Sequence, residues 1–421
     1  MRSLKNSLLR ICIDFKSNLI HIIKWISLAI VLGIICGLLG VCFHYSVDYV
    51  TELREEIEWI VYLLPIGGMA IVLLYNLNGL SDQPGTNTII ESVRQQKRVP
   101  RLLAPAIFLA TVITHLVGGS SGREGAALQI GGSIATSVGR LIKANTNEMS
   151  VLITCGMTAV FSALFGTPIT AAIFSLEVIS IGVVYYAALL PCITCGLTAY
   201  YIAQYFGCAA VRYPLEQILT IDAASAVKLI IFAIIISVAS IIFVLLMHRT
   251  HHLFEKKIEN EYIRVAVGGC VLIVMIWIFG REYLGAGMGV VEKALYNDVN
   301  WYDCILKAVF TAVTIGCGFK GGEIVPTFFI GATLGYLLGT LIGLDPHVCA
   351  ALGMVGLFCC VVNTPIASLM LAIEIFGINN LIPFVIVIAI CFVMSDYYSL
   401  YQSQKFIYSK TNMKYVEKKA K

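Results

Sequence analysis

Uncharged apolar stretches of roughly 17 to 25 residues recur along this chain, each as long as a helix needs to cross a bilayer. Residues 25–44, 229–247 and, with its flanks, 381–394 are examples. Other apolar stretches are shorter and interrupted by Gly or Pro. That is the pattern of half-helices or buried helices, because non-helical backbone at membrane depth survives only where protein or water covers it. The pattern predicts an all-α polytopic membrane protein. Its first apolar stretch is longer than a signal-peptide core and lacks a small-residue cleavage site after Val41, so it reads as the first span.

Composition agrees. Of the 421 residues, 58% are hydrophobic and 13% charged, and the mean hydropathy of +0.86 is beyond that of a soluble globular domain. The 14 cysteines are scattered through apolar segments and read as small hydrophobes rather than a secreted disulfide framework; Cys192 and Cys195 form the only CxxC, inside an apolar run. Lys and Arg collect at Arg2, Lys5, Arg10, Lys16 and Lys24, and again at Lys405, Lys410, Lys414, Lys418, Lys419 and Lys421. By the positive-inside rule both termini face the cytoplasm, in the cell membrane, with the basic loops 94–101 and 248–264 on the same side. Topology accounts for the net charge of +4 without a nucleic-acid partner.

An internal repeat organises the chain. The segment from Cys155, CGMTAVFSALFGTPITAAIFSLEV, aligns with the segment from Leu352, LGMVGLFCCVVNTPIASLMLAIEI. Gly156 falls on Gly353, Met157 on Met354, Phe161 on Phe358, Thr167 on Thr364 and Glu177 on Glu374, all at one constant offset. With a small gap, Gln129-Ile-Gly-Gly faces Phe329-Ile-Gly-Ala, and more weakly Pro84-Gly-Thr-Asn faces Ala286-Gly-Met-Gly. The predicted division is a cytoplasmic segment 1–19, a first membrane repeat 20–206, a connector 207–222, a second repeat 223–404 and a short cytoplasmic tail 405–421. The connector is poor in Lys and Arg, so it reads as external, and the second copy is then inserted upside down. Inverted repeats of this kind put an ion site near the midplane, where broken helices of both halves meet.

Two glycine-rich turns lead into buried helices: 118–125, with Arg123, Glu124 and Gly125, and 316–326, with Glu323, Ile324, Val325 and Pro326. Such a helix start presents unpaired N–H groups and the positive end of the helix dipole, an anion site that needs no full positive charge. Pro326 suits a first turn, where no N–H partner is lost. Glu124 and Glu323 carry the chemistry, since a carboxylate in a membrane core marks an ion or proton pathway by default. Ionised, it occupies an anion site as a tethered anion; protonated, it leaves and carries a proton. The plainer reading, that both acids only cap helix starts, stands beside this one.

At these residues the chain resembles the CLC family of anion channels and anion/proton antiporters. Gly122-Arg-Glu-Gly resembles the family's GREGP signature, and 322–326, Gly-Glu-Ile-Val-Pro, resembles its GxFxP motif. Leu400-Tyr401 stands where the family has its pore tyrosine, and Gly85-Thr86-Asn87 is the best match to its GSGIP helix start. The likeness covers nearly the whole chain. It implies the CLC fold, a homodimer with one independent pathway per subunit, and Glu124 as gating glutamate. Gly122, Arg123, Gly125, Ile324, Val325, Thr86, Asn87 and Tyr401 are then the anion-binding positions. The departures point to one branch. GREGA replaces GREGP, Ile324 replaces the phenylalanine of GxFxP after an acid, Glu323, and Val178 stands where chloride/proton antiporters carry a second glutamate. These changes resemble the fluoride-exporting branch, in which a Gly-Glu in this region supplies a second essential carboxylate, although that branch often has threonine at the position of Val325.

Fluoride, the smallest halide and the strongest hydrogen-bond acceptor among them, gains most from extra donors such as a protonated Glu323 or the Tyr401 hydroxyl. The expected activity is exchange of fluoride outward for protons inward. A chloride channel or chloride/proton antiporter of the same fold is the alternative. A remoter one is an intramembrane serine hydrolase built on Gly119-Ser120-Ser121-Gly122 with His115 or His347. No cofactor motif and no metal-ligand cluster is present, so the expected partners are the anion, protons, lipid and a second copy. The short stretch 406–421 argues against appended nucleotide-sensing domains.

Overall fold

The computed structural model describes residues 2–81, 85–97, 99–412 and 414–421, with side chains from residue 14 onward. Pro84, which opens the weaker repeat match, and the side chains of Arg2, Lys5 and Arg10 lie outside the described residues. Eight helices precede residue 206: α1 (Arg2–Glu56), α2 (Leu64–Leu77), α3 (Thr86–Gln95), α4 (Leu103–Val117), α5 (Glu124–Leu141), α6 (Thr146–Phe165), α7 (Pro168–Glu177) and α8 (Leu189–Tyr205). Eight more follow residue 222: α9 (Ala223–Lys257), α10 (Glu261–Phe279), α11 (Met288–Tyr296), α12 (Asp303–Cys317), α13 (Ile324–Ile342), α14 (Pro346–Val362), α15 (Pro365–Phe376) and α16 (Leu381–Met394). The packing partners repeat with the order. Helix α1 packs on α4, α6 and α8 as α9 packs on α12, α14 and α16, and α5 packs on α6 as α13 packs on α14. The halves are joined through α2 against α10 and α7 against α15.

Local chemistry decides which helix starts are self-sufficient. Helix α6 begins with a capping box, Asn145 Oδ1 accepting from Glu148 N at 2.9 Å and Glu148 Oε2 from Asn145 N at 3.0 Å. Asp222 caps α9, Asn260 caps α10, and Asp345 caps α14 ahead of Pro346. Helices α5, α7, α13 and α15 have no side-chain cap from their own N-cap residue. Their first N–H groups are left for partners from elsewhere in the fold.

The repeated glycines have a packing reason. A Cβ built on Gly131 would lie 2.0 Å from the Gly156 carbonyl oxygen, and one on Gly331 would lie 2.4 Å from that of Gly353. Both crossings, α5 over α6 and α13 over α14, bring backbone onto backbone, which only glycine permits. Seven helical segments among the described residues are long and apolar enough to cross a membrane, while α4, α7, α14, α15 and α16 are shorter apolar helices. Leu73, Tyr201, Ile230 and Trp277 are among the large apolar side chains on the exterior, as expected of a surface solvated by lipid. The chain is a multi-pass membrane protein.

Two segments differ from expectation. The stretch 248–264 is mostly helix: α9 runs on to Lys257 and α10 starts at Glu261, because Asn260 caps it at once. The tail is not a plain extension either. Strand β1 (Ser180–Ile181), just after α7, pairs in parallel with β2 (Lys405–Tyr408), and β2 pairs antiparallel with β3 (Tyr415–Lys419). Lys410 secures it by donating to Ser395 Oγ at 2.8 Å and to Asn363 Oδ1, at the C-terminal ends of α16 and α14, with its ammonium 4.6 Å from the Phe392 ring centroid.

Gly131→Ala should destabilise the protein by about 1–3 kcal/mol or more through overpacking at the α5–α6 crossing. Gly289→Ala, in helix α11 where no heavy atom lies within 4 Å, should leave the thermal unfolding midpoint in detergent unchanged or slightly raised.

Candidate functional site

Helix α4 ends in a left-handed glycine, Gly118, and α12 ends at Gly318, also at positive φ. Each chain then makes a short turn into the next helix, and the two turns meet. Gly122 N donates to the Gly322 carbonyl at 2.7 Å, and Gly322 N donates to the Gly122 carbonyl at 2.6 Å. This antiparallel bridge sets the start of α5 beside the start of α13.

Glu124 uses that proximity. Its side chain leaves the first residue of α5 and reaches α13, where Oε2 accepts from Val325 N at 3.3 Å; Oε1 has no partner, and the residue is fully buried. A carboxylate thus sits on the N-terminus of the helix from the other half, where backbone N–H groups and the dipole favour negative charge. The glycines make room for it. A Cβ on Gly122 would lie 2.2 Å from Glu124 Oε2, and one on Gly322 would lie 2.8 Å from it.

A cavity of about 490 Å³ approaches this carboxylate. Its wall is formed by Thr86, Gly125, Glu323 and Tyr401, and also by the polar groups of the α9–α10 corner, among them His251, Glu255, Glu259 and Arg264. Glu323 is only partly buried and makes no hydrogen bond or ion pair among the described residues, so its carboxyl group is free to act on whatever fills the cavity. Tyr401 is 3% exposed and held by its backbone, its N–H donating to Ser399 Oγ at 3.1 Å. Thr86 opens α3 after Gly85, whose φ of +61° needs a glycine. Three helix starts, α3, α5 and α13, therefore converge here.

The other expected anion positions are arranged less directly. Ile324 and Val325 bury their side chains and contribute backbone. Asn87 lines the cavity, but its Oδ1 accepts from Ser403 N at 3.0 Å and Ser403 Oγ at 2.7 Å, tying α3 to the segment after Tyr401. Arg123 turns away, its Nη1 lying 2.9 Å from both Asp48 Oδ1 and His44 Nδ1 on α1. The hydrolase grouping is not assembled: Ser121 Oγ is buried with no hydrogen-bond partner, Ser120 Oγ lies 3.2 Å from Thr311 Oγ1, His115 Nδ1 is 2.9 Å from the Thr111 carbonyl, and His347 Nδ1 faces the Ala294 carbonyl at 3.4 Å.

Residues 67–396 match the voltage gated chloride channel family. The chain belongs to that family. This CLC protein is 32% identical over 399 residues to a "Chloride/fluoride channel protein" of Pseudomonas syringae pv. tomato, covering 93% of this chain and 88% of that one. Its structure is similar to the crystal structure of a CLC-type fluoride/proton antiporter, with a TM-score of 0.88, 31% identity, and 90% and 97% of the two chains covered. A slow cyanobacterial Cl⁻/H⁺ antiporter shares the fold at TM-score 0.75 and 21% identity, over 88% and 94% of the chains.

One pair of the CLC protein's carboxylates was visible only as matched repeat positions. Glu177, at the end of α7, accepts from Ile366 N (3.2 Å) and Ala367 N (2.9 Å) at the start of α15. Glu374, near the end of α15, accepts from Ile169 N (3.1 Å) and Thr170 N (2.8 Å) at the start of α7. Each half caps a helix of the other. Their sequence signal was the repeated Thr-Pro-Ile helix start followed ten residues on by Glu.

Glu177→Ala and Glu374→Ala should each cost about 0.5–2 kcal/mol of stability, as a lost helix cap does, read as a lower unfolding midpoint. Gly322→Ala should displace the Glu124 carboxylate and, in protein that still elutes as wild type, cut anion efflux from liposomes at least about tenfold.

Proposed function

We propose that this chain is a fluoride/proton antiporter that exports fluoride, with Glu124 and Glu323 as its two proton-carrying carboxylates. The observation that carries the reading is the Glu124 carboxylate seated on the N-terminus of α13. Ionised, it occupies the place an anion would take. A fluoride ion arriving through the cavity competes for the same N–H groups, and a protonated Glu124 no longer competes, so displacement of the side chain and uptake of a proton are one event. Glu323 on the cavity wall supplies a second carboxyl that, protonated, donates a hydrogen bond to the ion. The hydroxyls of Thr86 and Tyr401 are further donors on the same wall. Fluoride gains more from such donors than chloride does, because its charge is concentrated in a smaller radius. The relatives at 32% and 31% identity, one a chloride/fluoride channel protein and the other a fluoride/proton antiporter, support the same reading.

We further infer a homodimer with one pathway per subunit, in the cell membrane, with both termini cytoplasmic. The cavity mouth at the α9–α10 corner is then the cytoplasmic one. Gly122 and Gly125 keep the helix starts open, Ile324 and Val325 offer N–H groups, Asn87 holds α3 in place, and Arg123 braces the turn against α1 through Asp48. One observation favours a second reading, a chloride channel of the same fold: Val178, fully buried, leaves no titratable group where chloride/proton antiporters have one. Under the antiporter reading protons take the route past Glu323 instead.

Proteoliposomes loaded with fluoride or chloride, with external pH recorded under a proton gradient, decide between them. Fluoride should leave uphill at the expense of protons and chloride should move slowly. Glu124→Gln should abolish coupled transport, and Glu323→Gln should lose most fluoride transport; full activity in Glu323→Gln would remove its assigned role. Fast chloride movement without proton flux would make the protein a chloride channel.

A further inference from the structure

Three residues before Glu323, on the same turn, Lys320 lines the cavity. Among the described residues it donates no hydrogen bond and forms no ion pair. Its contact is with an aromatic face: the ammonium lies 4.8 Å from the ring centroid of Tyr75 on α2. Tyr75 is itself 5% exposed, lines the same cavity, and carries a buried hydroxyl with no partner. Two unused donors, one of them charged, therefore share one wall. The surroundings make the charge matter. At the mouth stand Glu255, Glu259 and Glu261, and the cation there, Arg264, has Glu261 within 3.9 Å. Deeper in stands Glu323. An anion in this cavity faces acids on several sides, and Lys320 is a cation on its wall with no carboxylate in ion-pair contact among the described residues, Glu261 acting on it only from farther away.

We propose that the Lys320 ammonium, held on the Tyr75 ring and assisted by the Tyr75 hydroxyl, forms an anion-binding subsite in the cavity, occupied by the halide before it reaches the helix starts. This rests on the antiporter reading for the identity of the halide. The ring face holds the ammonium, and an ion waiting there is bound by that charge and by the hydroxyl at the ring's edge. The subsite also raises the local halide concentration against the repulsion of the mouth. Its role is delivery, distinct from the proton exchange at Glu124 and Glu323.

The test is initial fluoride efflux from proteoliposomes loaded at graded concentrations, with proton flux recorded alongside. Lys320→Met should raise the half-saturating fluoride concentration about tenfold, the scale of electrostatic focusing in a cleft, with the maximal rate and the proton-to-fluoride ratio little changed. Lys320→Arg should restore wild-type half-saturation. Tyr75→Phe, which keeps the ring, should raise it about threefold, the worth of one hydrogen bond, and provides an arm if Lys320→Met does not fold. An unchanged half-saturation in folded Lys320→Met or Tyr75→Phe overturns the subsite, and so does an altered proton ratio, which would put Lys320 in the proton path. Wild-type vesicles that release no fluoride defeat the antiporter reading itself; the same titration with chloride then tests the subsite alone.

Discussion

Two short hydrogen bonds, between Gly122 and Gly322 in both directions, join the turns that open α5 and α13. Each turn is also seated by other contacts, the first by Ser120 N donating to Thr314 Oγ1 and Arg123 pairing with Asp48, the second by the buried Phe319 side chain; the bridge is what sets the two turns against each other. With it, the first residue of α5 lies close enough to α13 for a glutamate to span the gap. The bridge also explains why both partners are glycine: a side chain on either would occupy the volume of the Glu124 carboxylate or press on the Glu124 backbone. The rest of the site, including the cavity wall from Thr86 to Tyr401, is arranged around that junction.

A second regularity is that the halves satisfy one another's helix starts. A buried helix N-terminus leaves unpaired N–H groups whose desolvation is costly. Here α7 and α15 receive Glu374 and Glu177, and α13 receives Glu124. The first two exchanges use both carboxylate oxygens and lie between helices packed side by side, the mark of a structural cap. In the third, a single long hydrogen bond holds one oxygen while the other has no partner. A carboxylate held so loosely is the one that can leave. The same chemistry serves stability at two positions and, in the proposed antiport, exchange at the third, and the difference lies in how completely each carboxylate is satisfied.

Much of this was legible in the chain itself. Apolar block lengths determined a polytopic helical membrane protein, because a bilayer admits few other solutions. The repeat was readable since the same crossings and helix starts demand the same glycines and Thr-Pro-Ile in both halves. The two glycine-rich turns and their acids marked the site, as an acid in a long apolar context is rarely without purpose. Tertiary structure alone decided the rest. That Glu124 reaches α13 rather than capping its own helix depends on a hydrogen bond between residues 200 positions apart. That Arg123 pairs with Asp48 and Asn87 with Ser403, that Lys320 is left unpaired over Tyr75, and that the tail adds strands to β1 are likewise consequences of long-range packing. Local sequence sets which groups are available; which of them meet is decided only when the halves close on each other.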